Sequence, residues 1–154
     1  IDVSKGSWPA IWLLGIEGTW PDNGEIDMME FYRVNDEPYI LANVAWGTDV
    51  KYNAAWDGSK KKYSDFIAKD PNWADKFHTW SMRWDEKYIH LYLDGELLNQ
   101  IDLGKTLNAD MRNPFVGQQK FYLLLNLAIG ANGGIPDDDE FPIIYEVDYA
   151  RVYQ

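Results

Sequence analysis

The run Gly24-Glu25-Ile26-Asp27-Met28-Met29-Glu30-Phe31-Tyr32 sets three carboxylates within six residues, separated by large apolar side chains. Side chains of a β-strand point alternately to opposite faces. Glu25 and Asp27 therefore share one face, and Ile26 and Met28 share the other. Strict alternation would carry Glu30 to the apolar face, where an unpaired carboxylate is costly. One extra residue, a β-bulge around Met28-Met29, returns Glu30 to the side of Glu25 and Asp27.

Three carboxylates on one face repel one another, so their pKa values spread apart. One can then stay ionised while another holds a proton at neutral pH. Retaining glycoside hydrolysis needs that division: a carboxylate nucleophile and a carboxylic acid, about 5–5.5 Å apart. Positions five residues apart on a flat strand, at about 3.3 Å per residue, stand too far from each other. The chemistry thus predicts a bulged strand in a curved sheet, with the acids on the hollow side. An edge strand with solvated acids is the alternative that the three carboxylates alone leave open.

Composition narrows the field. The chain of 154 residues is read as one domain, residues 1–154, and its 46% hydrophobic content is enough for a core. No continuous apolar run is long enough to span a membrane as a helix. A net charge of −11 argues against nucleic acid and anionic membranes, and disfavours acidic glycans unless a local basic patch overrides it. Zero cysteines exclude disulfides and cysteine catalysis, and two histidines make a multi-histidine metal site a poor reading. Aromatic residues reach 16%, with eight Trp and ten Tyr, whose flat faces suit both sugar rings and cores.

Along the chain, Trp8, Ala10 and Trp12 share one parity of a strand entered at Pro9. Trp8 and Trp12 are candidates for stacking on sugar rings, with core packing equally open. Gly15 to Gly24 is a turn-rich loop that carries Trp20. In the strand Tyr39 to Gly47, antiparallel pairing would set either Asn43 or Trp46 beside the acids. Thr48 to Lys76 reads as irregular, with Lys60-Lys61-Lys62 as a solvated turn. Phe77 to Trp84 alternates as a strand, with His78 as a core histidine, and a meander turns at Asp94-Gly95. The apolar run Phe121 to Ile129 reads as a strand buried on nearly both faces, interrupted by Asn126, which needs partners in a polar cleft. The acids 137–140 lack calcium-loop spacing and read as a solvated loop. Tyr145 to Gln154 alternates as a closing strand.

The segment Glu25 to Glu30 resembles the catalytic motif of glycoside hydrolase family 16 in its bulged, laminarinase-like form. Ser7 to Trp12, the Phe77 to Gly95 block and the closing segment resemble further parts of that family. The resemblance implies an all-β fold, a concanavalin-like β-jelly-roll sandwich of two curved antiparallel sheets. It implies Glu25 as nucleophile, Glu30 as acid/base and Asp27 as the carboxylate that tunes both. Trp8, Trp12 and Trp20 would border the cleft, and Trp46 stands about where many members carry a histidine. No cofactor is required, although an Asp at the place of Asp148 often helps to bind a structural calcium. The implied activity is endo-acting retaining hydrolysis of a polysaccharide, a β-1,3- or mixed β-1,3-1,4-glucan first. Endo-β-galactosidase action on galactans or mucin-type O-glycans is the alternative, and a carbohydrate-binding module without hydrolysis is the other. A secreted, periplasmic or cell-surface setting goes with such substrates. The chain begins at Ile1 on a strand approach, so the expectation is that N-terminal strands are missing. An open sheet edge would then favour self-association or a complementing chain.

Overall fold

The computed structural model describes residues 1–117 and 119–153. Its strands are β1 (Ser7–Gly15), β2 (Glu25–Val34), β3 (Glu37–Gly47), β4 (Ala54–Lys62), β5 (Trp80–Trp84), β6 (Tyr88–Leu93), β7 (Glu96–Asp102) and β8 (Phe121–Ile129). One short helix, α1 (Tyr63–Ile67), follows β4. The strands form a five-stranded sheet in the order β4-β3-β2-β1-β8 and a three-stranded sheet in the order β5-β6-β7. Every strand pairing is antiparallel.

Alternation decides which face of the large sheet is buried. Ile26, Met29 and Phe31 of β2 point inward with Ile40, Ala42 and Val44 of β3. They meet Ile89, Leu91 and Leu93 of β6 and Ile101 of β7 from the small sheet. Phe115 joins one of the two clusters of this core from a turn, and Trp73 joins the other from a short 3-10 helix, Trp73–Asp75. Burying side chains of this size stabilises the sandwich by about 1.5–3 kcal/mol each.

The expected bulge is present. Trp12 pairs with Asp27 and Ile11 with Met29, so β1 skips Met28. On the other side Asp27 opposes Asn43 and Glu30 opposes Leu41, so Met28 and Met29 together face Ala42. The Asp94-Gly95 turn between β6 and β7 has both residues at positive φ, +50° and +83°, as a tight two-residue hairpin requires. The His78 side chain is 7% exposed and satisfied as expected, stacked on Trp73 at 4.2 Å with its ring nitrogens on Asp94 and the Trp73 carbonyl.

Four segments differ from the sequence reading. Residues 54–62, expected as irregular, form β4, because nine β3 residues from Tyr39 to Gly47 give them a ladder. Lysines are what an edge strand tolerates and a turn also uses, so composition does not separate the two. The strand expected from Phe77 begins only at Trp80, since His78 and Thr79 are turned to bind Asp94. β8 pairs with β1 alone, and its Tyr122, Leu123, Leu125 and Ile129 are 42–45% exposed rather than buried on both faces. Residues 145–153 form no strand. Alternation does not make a strand without a ladder partner, and here the Tyr145 hydroxyl donates to the Ala10 carbonyl at 3.4 Å.

Candidate active site

Residues directly opposed in an antiparallel pair lie on the same face of the sheet. The outer face of the large sheet can therefore be read in rows from β8 to β4. Tyr122, Leu14, Glu25, Ala45 and Trp56 make one row. Leu124, Trp12, Asp27, Asn43 and Gly58 make the next. Asn126, Ala10, Glu30, Leu41 and Lys60 follow. Beyond them Trp8 opposes Ala128, and Tyr39 opposes both Tyr32 and Lys62, with the Trp8 ring edge-on to Tyr32. The bulge thus keeps Glu25, Asp27 and Glu30 on one face while Met29 stays in the core. Trp8, Ala10, Trp12, Glu25, Asp27, Glu30, Asn126 and Ala128 line a hollow of about 230 Å³.

Each outer acid has its own indole donor. Trp20 Nε1 donates to Glu25 Oε2 at 2.9 Å, and Trp8 Nε1 donates to Glu30 Oε1 at 3.0 Å. Trp12 Nε1 donates to Asn126 Oδ1 at 2.7 Å, which gives the polar interruption of β8 the partner it needs. Asn43 Nδ2 donates to Glu30 Oε2 at 3.2 Å. The three tryptophans and both asparagines thus gather around the acids. The rings hold the carboxylates by their edges, a use that stacking or core packing alone would not reveal.

Trp46 does not join them. It follows the parity of Val44 and packs against the Ile26 and Ile89 cluster, on the opposite face from Asn43. Asp148 is exposed, and among the described residues no three His, Cys, Asp or Glu side chains gather to hold a metal ion. Tyr32 was missed, although its parity with Glu30 marks it. It is half-buried edge-on to Trp8 at 5.9 Å, and burial, Glu30 and Asp27 push its hydroxyl up to about 12.

Burial raises the pKa of all three acids. For Glu25 it is opposed by hydrogen bonds from Trp20 and Asp27. For Glu30 it is opposed by Trp8 and Asn43, and reinforced by the charge of Glu25. Asp27 is raised furthest, by burial and then by Glu30 and Glu25. It is 2% exposed and its Oδ2 has no donor. A buried oxygen between two other carboxyl groups is best satisfied by carrying the proton itself. The hydrogen bond between Asp27 and Glu25 favours the proton on Asp27 and the charge on Glu25.

A stability test follows from the sign of that shift. A carboxyl whose folded pKa is raised stabilises the fold fully below its unfolded value and loses that contribution as pH rises through the folded one. Asp27→Asn keeps the donor and removes the titration. We expect it to raise Tm at neutral pH by about 3–6 °C, for about 1–2 kcal/mol. The gain should vanish near the ordinary aspartate value of 3.8. Differential scanning calorimetry across pH checks this, and a pH-independent difference would contradict it.

Asn43 is itself held by a missing side chain. A Cβ on Gly58 would lie 2.4 Å from Asn43 Oδ1. Gly58→Ala should therefore swing the amide away from Glu30, and any turnover that uses this acid should fall by about 10–100-fold. Losing a donor to the ionised form raises the pKa of Glu30, so the basic limb of the pH profile should move up. Asn43→Ala should do the same, and the double variant should add little. Simple additivity would show that Gly58 does not act through Asn43.

The chain is similar to known proteins. The model of "Glycosyl hydrolases family 16" matches residues 1–132. A β-1,3-glucan-binding protein of Penaeus monodon is 34% identical, over 84% of this chain and 40% of its own length. A β-glucanase of Rhodothermus marinus is 33% identical, over 97% of this chain and 53% of its own. A structure from work on endo-acting O-glycanases of the human gut microbiota superposes with a TM-score of 0.74 at 35% identity, over 93% of this chain and 49% of that one. The chain thus spans about half the length, or less, of these relatives. With an antiparallel β-sandwich of the jelly-roll type and a family model matched over most of its residues, the chain belongs to glycosyl hydrolase family 16.

Proposed function

We propose that this cleft hydrolyses internal β-linkages of a polysaccharide with retention, a β-1,3- or mixed β-1,3-1,4-glucan first. The observation that carries the reading is the pair Glu25 and Glu30 on one hollow, each held by its own indole donor, with Asp27 between them. Glu25, kept ionised by Trp20 and Asp27, attacks the anomeric carbon as the glycosidic bond breaks. Glu30, whose pKa burial raises, gives its proton to the leaving oxygen. Glu30 then takes a proton from water, which releases the sugar from Glu25 with its configuration restored. The apolar faces of Trp8 and Trp12 hold the rings beside the cleaved bond. The experiment is a panel of laminarin, mixed-linkage glucan, galactan and mucin O-glycans, read by new reducing ends and by NMR of the first anomer. New ends with the β-anomer first support the reading, and the best substrate separates glucanase from galactosidase action. An α-anomer first would overturn the retaining mechanism.

A second reading is binding without hydrolysis, favoured by the identity to a β-1,3-glucan-binding protein. Titration calorimetry beside the reducing-end assay separates the two. Binding with no new ends over long incubation selects this reading and rejects the first.

A further inference from the structure

The sheet face that carries the acids continues across β3 onto β4, beyond the hollow. Trp56, Gly58, Lys60 and Lys62 of β4 oppose Ala45, Asn43, Leu41 and Tyr39 on that face. Asp57 points the other way, toward the small sheet, where Asn99 of β7 donates to it at 3.3 Å. Trp56 is 51% exposed, an unusual placement for an indole with no partner ring among the described residues. Gly58, between Trp56 and Lys60, makes room for the Asn43 amide, whose Oδ1 would lie 2.4 Å from a Cβ there. Lys60 lies over the Tyr39 ring at 5.3 Å, which holds its stem along the sheet face. It forms no ion pair among the described residues, whereas Lys62 is paired with Glu37 at 3.5 Å.

We propose that this side of β4 is a substrate subsite, in which Trp56 stacks on a sugar ring and Lys60 takes an anionic substituent of the glycan. The inference rests on the cleft reading above and, within it, selects glycans that carry an anionic substituent over the neutral β-glucans named first. Strands lie about 4.8 Å apart, so β4 stands about 10 Å from the acids on β2. A group there meets a ring flanking the cleaved bond, not the ring under attack. The chain carries a net charge of −11 and three acids in its cleft, a field that repels an anionic glycan. Lys60-Lys61-Lys62 is its one run of three basic residues, and it runs along this wall. Protecting an edge strand from pairing would need lysines on either face. It would not need Lys60 laid over Tyr39 beside an open indole. A sulfate ester and a uronate carboxylate both present oxygens to an ammonium group, so the shared chemistry is an anionic oxygen cluster on a pyranose.

The test is binding, so that it is independent of turnover. Calorimetry on the Glu25→Gln chain at low salt uses a sulfated β-galactan oligosaccharide, its desulfated form, a uronate-bearing β-glucan oligosaccharide and a neutral β-glucan oligosaccharide. The expected result is tighter binding of one anionic ligand than of its neutral counterpart, a preference that shrinks as salt rises. Which anionic ligand gains identifies sulfate or carboxylate. Lys60→Met should cut that preference about tenfold, the weight of one charge-assisted hydrogen bond. Lys60→Arg should retain most of it, and Lys61→Met, on the opposite face, should leave it intact. Trp56→Ala should weaken anionic and neutral ligands alike. No anionic preference in the unsubstituted wall, or equal losses for Lys60→Met and Lys61→Met, would overturn the anionic subsite. Unchanged binding in Trp56→Ala would overturn the stacking. A chain that binds in this way yet cleaves nothing leaves the subsite standing and overturns only the hydrolase reading.

Discussion

Glu25→Gln is expected to lower kcat on the best β-glycan by about 10⁴-fold or more, with KM little changed. The amide fills the same volume and keeps an oxygen for Trp20, but it cannot form the glycosyl intermediate. Glu30→Gln should lose about 10²–10⁴-fold, since it removes only proton transfer. The two variants differ in what restores them. A substrate with a good leaving group needs no acid, so it should rescue the first step in Glu30→Gln and do nothing for Glu25→Gln. Both changes remove a carboxyl whose pKa burial raises, so both should make the fold more stable at neutral pH. Lost activity with gained Tm excludes misfolding as the cause. Turnover near the wild-type rate in Glu25→Gln would end the hydrolase assignment. Steady-state kinetics beside thermal unfolding measures both.

Deleting one methionine of the Met28-Met29 pair is the second large effect, and its signature is an intact fold with a damaged site. Taking one residue out leaves Asp27, Met and Glu30 in ordinary alternation. The β1 ladder already passes from Trp12 opposite Asp27 to Ile11 opposite Met29, and the β3 ladder from Asn43 to Leu41. Both ladders can close without moving any other residue to the wrong face. The cost in stability is the lost contact of Met28 with the core, about 1–2 kcal/mol. Glu30 keeps its side of the sheet but loses the local twist that aims it. A misplacement of about 1 Å is enough to lower kcat by about 10²-fold. Comparing kcat with the unfolding midpoint checks this. Loss of the folded state, or wild-type kcat, would each show that the bulge does something other than aim Glu30.

The same alternation explains what could be read in advance and what could not. Glu30 sits at the wrong parity for a flat strand, so the bulge is written in the spacing itself. Trp8, Trp12, Trp20, Asn43 and Asn126 lie in segments whose faces follow once β2 is placed, and all five meet at the acids. Trp46 failed because β3 is buried on both faces along its middle, so its pattern does not say which face holds the acids. Register decides it, and register is a tertiary property. β4 failed for the opposite reason. Gly58, Ser59 and three lysines carry little strand propensity, and only the β3 edge makes them a strand. With β4 unread, Trp56 and Lys60 could not be assigned to the acids' face. Residues 145–153 alternate cleanly yet stay irregular, because a strand is a pair and the partner is not in the sequence pattern.

In the proposed reaction Glu25 attacks carbon while Glu30 handles the proton. An activated 2-deoxy-2-fluoro β-glycoside matched to the preferred sugar slows release of the intermediate and traps it. Intact-mass spectrometry should then show one added glycosyl unit, and peptide mapping should place it on Glu25. A label on Glu30 or elsewhere, or steady hydrolysis of the natural glycan with no label formed, would contradict the assignment.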